Sequence, residues 1–252
     1  MKLGRFGPGG GGPLPEPLSA VQLPGDSLDG PQLSAWLAAA ASELQDAALD
    51  WWIGSVNRPA ATRLLDWLRD CRPHDAITLV AAADLPLTVR LPRPDMVGID
   101  RLLDALAANR LRQPGRAAVV VDVGSAITVD LVGEDGAFLG GAILPGIGMA
   151  ARAMHEFTDL LPLIEMSELA APPPPLGTAT VPAIKSGLFW GAVGAIRELV
   201  GRLGEGLTQP PHVFLSGGAG PAVADLLGPD ARCVPHLTLA GIALAAGRAA
   251  TA

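Results

Sequence analysis

The chain has 252 residues and a formal net charge of −7, with lysine only at Lys2 and Lys185, so it offers none of the concentrated cationic face that a nucleic-acid partner requires. A hydrophobic content of 49% with 31 Gly and 24 Pro excludes general disorder and fits one large domain or two modest ones, built of short elements and tight turns without disulfide staples. Cys71 and Cys233 lack CxxC spacing, the four histidines lack metal-ligand spacing, and neither a signal peptide nor an apolar run of roughly 20 residues is present, so a cytoplasmic protein without zinc is expected.

Residues 1–31 are rich in Gly and Pro, and Gly9-Gly10-Gly11-Gly12-Pro13 reads as a loop or hairpin tip. Leu33, Trp36, Leu37, Ala40 and Leu44 then recur at helical spacing between Pro31 and about Asp50. A short buried strand is expected at 51–56, a helix at 59–70 with Leu64, Leu65 and Leu68 on one side, and further strands at 77–80 and 87–91. Residues 94–101 lead into a helix whose Ile99, Leu102, Leu103 and Leu106 fall at i, i+3, i+4 and i+7. Asp100 and Arg101 therefore stand in its first turn, at the positive end of the helix dipole.

Gln113-Pro114-Gly115 marks a domain boundary, giving domains 1–113 and 114–252. Beyond it, strands are predicted at 117–121, 126–132 and 137–139, the last two joined by the turn Gly133-Glu134-Asp135-Gly136. Helices follow at 146–161 and 181–203, separated by a proline-rich loop at 170–175. Gly187, Gly191 and Gly194 would let another backbone approach the second of these helices closely. A strand at 213–216, a helix at 221–227 and a terminal helix at 237–246 complete the chain.

The stretch Asp122-Val123-Gly124-Ser125 carries the clearest chemistry. An Asp ending a buried strand, followed by Gly and a hydroxyl residue at a tight turn, sets a carboxylate, free amides and a hydroxyl at one point, a combination suited to phosphate with its cation. Glycines recur at Gly140-Gly141, just after the third strand, at Gly146, and at Gly217-Gly218 between strand and helix, where a flat base or ribose could lie on bare backbone.

Taken in order, residues 97–101, 122–130, 140–146 continuing to Leu161-Pro162, 177–187 and 215–218 resemble the type III pantothenate kinases of the actin-like superfamily, over a span from about Trp52 to the C-terminus. The resemblance implies an α/β, two-domain actin-like (ribonuclease H-like) fold. It implies phosphorylation of pantothenate to 4′-phosphopantothenate by ATP, with a monovalent cation (potassium or ammonium) and a divalent cation such as magnesium, in a homodimer. Carried over by residue, it makes Asp100 the base that takes the proton from the attacking hydroxyl. Gly98, Ile99, Asp100, Arg101 and Thr180 would contact pantothenate, Gly124, Ser125, Gly217 and Gly218 would contact ATP, and Asp122 would hold the monovalent cation. The same resemblance admits an alternative, a family member without catalysis that serves as a regulatory or binding protein.

The sequence departs from the family pattern at its front, where the family begins with a strand ending in Asp-x-Gly-Asn-Ser/Thr. Residues 1–7 resemble the family's second strand and Gly9 to Gly12 its hairpin tip. The expectation is a start placed too far downstream or a trimmed chain, with one sheet position unfilled. Leu91 stands where the family commonly has a tyrosine, and Ser125 replaces a more usual threonine while keeping the hydroxyl.

Overall fold

A computed structural model of the chain describes residues 1–7, 12–24, 27–40, 48–169 and 171–249. The chain forms two compact units: Met1–Leu87, Pro92–Leu111 and His236–Ala252 make the first, and Thr88–Leu91 with Arg112–Pro235 the second. These units do not follow a single cut near residue 113, since the terminal helix belongs with the first of them.

The first unit holds β1 (Lys2–Arg5) and β2 (Ser19–Gln22), an antiparallel pair, and β3 (Asp50–Ile53) and β4 (Ala76–Leu79), a parallel pair. Helix α1 (Gly30–Ala40) joins the pairs and α2 (Arg58–Cys71) connects β3 to β4. The hairpin tip expected at 9–12 and the helical continuation through Leu44 fall largely outside the described residues. Helix α2 starts where Asn57 Oδ1 accepts the Ala60 N–H at 3.0 Å, with Pro59 fitting the first turn, and it buries Leu64 and Leu68. Helix α3 (Ile99–Leu111) packs on α7 (Leu237–Ala249) so closely that a Cβ on Gly241 would fall inside 3.0 Å of the Leu103 carbonyl.

Asp75 ties the first unit together. Its side chain is 1% exposed and accepts from the Leu49 N–H (3.0 Å), the Trp51 indole (2.7 Å) and the Arg72 guanidinium (2.9 Å). Burial raises its pKa, but these donors outweigh burial and hold the carboxyl below the usual carboxylate range. A group depressed in the folded state contributes stability above its unfolded pKa, near 3.9, and loses it as pH falls through the folded value. Asp75→Asn is expected to cost about 2–3 kcal/mol at neutral pH, somewhat under the loss for a fully enclosed pair because Arg72 is 18% exposed. Thermal melts between pH 7 and pH 3 check this: the wild-type advantage should narrow below about pH 4.

The second unit is built on one five-stranded sheet of β5 (Ala118–Val123), β6 (Ala126–Val132), β7 (Phe138–Pro145), β8 (His212–Ser216) and β9 (Ala231–Cys233). Its order is β7-β6-β5-β8-β9, with β6 alone antiparallel to the rest. Numbered within the unit that is 3-2-1-4-5, the mixed arrangement of the expected ribonuclease H-like fold. Central β5 packs Val119, Val121 and Val123 against α4 (Ile147–Glu156), α5 (Thr180–Gly204) and α6 (Gly220–Leu227), with Phe189, Ile196 and Leu215 in the same core, and Ala118 and Val120 on its other face are buried as well.

Three expected elements differ. Residues 87–91 make only an isolated bridge, Val89 to Phe138, and Thr88–Leu91 lie in the second unit. The third strand does not stop at 139 but runs to Pro145, because a bulge beside Leu131 lets it continue through Gly140, whose φ of +98° suits a residue without Cβ. Helix α4 ends at Glu156, five residues or so short of the expected span, and strand β9 has too few residues to announce itself by alternation.

Candidate active site

In the second unit the site starts at the end of β5, where Gly124 and Ser125 make the two-residue connection to β6 and the Gly124 N–H donates to the Ala126 carbonyl at 3.0 Å. Both turn residues are exposed, whereas Asp122 is half-buried between its register partners Thr128 on β6 and Ser216 on β8. The Asp122 carboxylate leans over Gly124, 3.2 Å from the point a Cβ would occupy. Carboxylate and carbonyl oxygens, with no thiol or imidazole, form a donor set that fits a hard cation.

Two more glycines close on this turn. Gly146 follows β7, donates its N–H to the Ser125 carbonyl at 3.1 Å, and lies so near that an added Cβ would fall inside 3.0 Å of the Gly124 and Ser125 carbonyl oxygens. Gly217 follows β8 at φ +89°, and a Cβ there would meet the Val123 backbone equally closely. Gly218 beside it is exposed with open space around it. The ends of β5, β7 and β8 are the carboxyl ends of three parallel strands, where ligands gather in open α/β sheets. Helices α4 and α6 begin at this same edge with Gly146 and Ala219 as caps, neither supplying a side-chain hydrogen bond; the first amides of α4 stay available to an anion, whereas at α6 the Gly220 N–H donates to the Gly217 carbonyl at 3.2 Å and Pro221 has none to offer.

Thr180 opens α5 and is exposed, preceded by Ala179, which caps without a side-chain bond. Its approach loop is fastened to the helix: Ser186 Oγ donates to the Pro175 carbonyl (2.7 Å), Trp190 Nε1 to the Pro173 carbonyl (2.9 Å), and Lys185 pairs with Glu168 at 2.7 Å. Leu91 lies over Gly140, with Cδ2 3.2 Å from the position of an added Cβ.

In the first unit, Gly98 precedes α3 and its carbonyl accepts from the Arg101 N–H at 3.1 Å. Asp100 is half-buried in the first helical turn, and its Oδ1 accepts from the Arg101 N–H at 2.9 Å. A side chain at Gly98 would collide with Asp100 Oδ1, so the glycine leaves that carboxylate its room. Ile99 and Arg101 flank it, both half-buried. The structure thus gathers Asp122, Gly124, Ser125 and Gly217 around one turn of the second unit and Gly98–Arg101 around one helix start of the first.

The glycines at 140–141, expected just after the third strand, lie inside β7. There Gly141 lets the buried carboxylate of Asp130 and the Val129 carbonyl lie against bare backbone. Gly146 is marked in the sequence by the Pro145-Gly146 pair directly ahead of a helix.

The family model described as type III pantothenate kinase matches residues 23–202. The chain belongs to the type III pantothenate kinase family. A relative of that name in Acidiphilium cryptum is 34% identical over 196 residues, covering 78% of this chain and 72% of the relative. Another of that name, in Rhodospirillum rubrum, is 39% identical over 160 residues, and there the match spans 63% of this chain and 60% of the relative, under two thirds of its length. Among solved structures, a conserved protein of Campylobacter jejuni described as a Baf family transcriptional activator shares the fold with a TM-score of 0.57 at 19% identity, over 84% of this chain and 88% of that one.

Proposed function

We propose that this member of the family phosphorylates pantothenate at the expense of ATP, giving 4′-phosphopantothenate and ADP, the first step towards coenzyme A. The observation that carries the reading is the convergence of the Gly124-Ser125 turn, Gly146 and Gly217 at the carboxyl ends of β5, β7 and β8, where the exposed turn and the uncapped start of α4 favour phosphate.

In this reading Asp100 accepts the proton of the pantothenate hydroxyl while its oxygen attacks the γ-phosphorus, the bond to the β,γ-bridging oxygen breaks, and ADP leaves. Phosphoryl transfer asks mainly for positioning and charge neutralisation, so one carboxylate near the nucleophile suffices. Arg101 would hold an anionic or polar part of pantothenate, with Gly98, Ile99 and Thr180 as further contacts. Ser125 and Gly124 would hold ATP phosphate, and Gly217-Gly218 would lie against its nucleoside. Asp122 would hold a monovalent cation, potassium or ammonium, which with magnesium on the nucleotide would offset phosphate charge. No helix among the described residues is long and apolar enough to cross a membrane. We place the enzyme in the cytoplasm as a homodimer; the exposed α5 face with open space at Gly187, Gly191 and Gly194 supports a close helix contact between copies.

The test is nucleotide titration of Ser125→Ala. Loss of one charge-assisted hydrogen bond should weaken kcat/KM for ATP by about 10- to 100-fold while leaving KM for pantothenate near its original value. Unchanged kinetics for ATP would remove Ser125, and with it the turn, from the phosphate site.

A further inference from the structure

Residues 55–59, which lead from β3 into α2, are exposed throughout, and Val56 stands among them as a bare aliphatic side chain at 60% exposure between Ser55 and Asn57. A lone exposed valine asks for no explanation in itself. Its place and its fixed backbone set Val56 apart from such residues.

Val56 Cγ1 and Asp100 Oδ1 both lie within 3.3 Å of the point that a Cβ on Gly98 would occupy. The bare backbone of Gly98 thus has the candidate base and an aliphatic side chain as its two nearest neighbours at that point. The loop that presents Val56 is closed over it: Ser55 Oγ donates to the Asn57 carbonyl at 3.0 Å and accepts the Asn57 N–H at 3.1 Å. Asn57 in turn accepts the Ala61 N–H on its carbonyl (3.0 Å) and the Ala60 N–H on its side chain (3.0 Å), so the clamp is continuous with the first turn of α2. With that backbone held and a side chain stiff at χ1, Val56 meets a ligand with little ordering left to lose.

We propose that Val56 is a specificity-determining residue that reads the two methyl groups of pantothenate. The inference rests on the kinase reading with Asp100 as the base. The hydroxyl that is phosphorylated sits on a carbon bonded directly to the quaternary carbon that carries both methyls. A general base works within about 2.6–3.2 Å of the hydroxyl it deprotonates, so the methyls fall in the immediate surroundings of Asp100 Oδ1. There Val56 offers them apolar surface that water otherwise covers, and removing that surface from water favours binding. A polar group in their place would face the valine without a hydrogen-bond partner, which is costly.

The test is titration calorimetry of the purified chain with pantothenate and with its analogue lacking both methyls, each with a non-hydrolysable ATP analogue present. Wild type should bind pantothenate about 10- to 200-fold more tightly than the analogue, the range for small apolar differences in a fitted pocket. Val56→Ala should cut that preference at least about fivefold, by weakening pantothenate while the analogue's affinity stays nearly constant. Val56→Thr, which keeps the branched shape, should lower the preference as well. A preference unchanged in both variants would overturn the proposal and leave the kinase reading in place. Equal weakening of both ligands would also overturn it, since a purely structural role does not distinguish them. Failure of wild type to bind either ligand would instead strike the pantothenate reading, and this inference with it.

Discussion

Asp100→Asn is expected to lower kcat for pantothenate phosphorylation by about 10²–10⁴-fold, the usual contribution of a positioned general base. The substitution keeps the side chain's shape, and its remaining oxygen can still accept from the Arg101 N–H, so the start of α3 should persist. The fold loses only the favourable placing of a negative charge in the first helical turn, about 0.3–1 kcal/mol. KM for both substrates should change little, because the carboxylate acts on a proton that moves in the transition state. Steady-state kinetics together with a thermal melt separate the two effects: a variant that melts within a few degrees of wild type yet retains full turnover would show that Asp100 is not the base.

Gly146→Ala is expected to damage stability and nucleotide use together. An added methyl would fall inside 3.0 Å of two carbonyl oxygens of the Gly124-Ser125 turn, and backbone cannot step aside as a flexible side chain can. Overpacking of this kind costs about 1–3 kcal/mol, or roughly 2–4 °C in Tm per kcal/mol for a chain of this size. Moving the turn by about an ångström should cost on the order of 100-fold in kcat/KM for ATP. Gly201→Ala is the matched control: it lies within α5, outside the residues proposed for the contact between copies, with open space at the Cβ position, and replacing helical Gly should stabilise by about 0.5–1 kcal/mol. If Gly146→Ala behaved like Gly201→Ala, the close approach of α4 to the phosphate turn would carry no functional weight.

Much of this was legible in residues 97–130. Helical spacing of Ile99, Leu102, Leu103 and Leu106 sets α3, and with it Asp100 in the first turn. The apolar run before Asp122 marks β5, whose residues 118–121 are all buried, and the alternation after Ser125 marks β6, whose Ile127 and Val129 join the same core. What escaped depends on contacts distant in sequence. Gly141 looks like a loop residue until β6 lies beside it, and Gly146 and Gly217 gain meaning only when the sheet order brings the ends of β7 and β8 beside that of β5. Asp75 is an ordinary loop carboxylate in sequence, and only the fold supplies Leu49, Trp51 and Arg72 around it.

The most direct measurement is transfer of the γ-phosphate of labelled ATP to pantothenate, with and without potassium, using the purified chain and a version carrying any in-frame upstream Asp-x-Gly segment. The account predicts labelled 4′-phosphopantothenate that depends on both pantothenate and the monovalent cation and disappears in Asp100→Asn. Absence of labelled product from both forms, under conditions where both are folded, would contradict it.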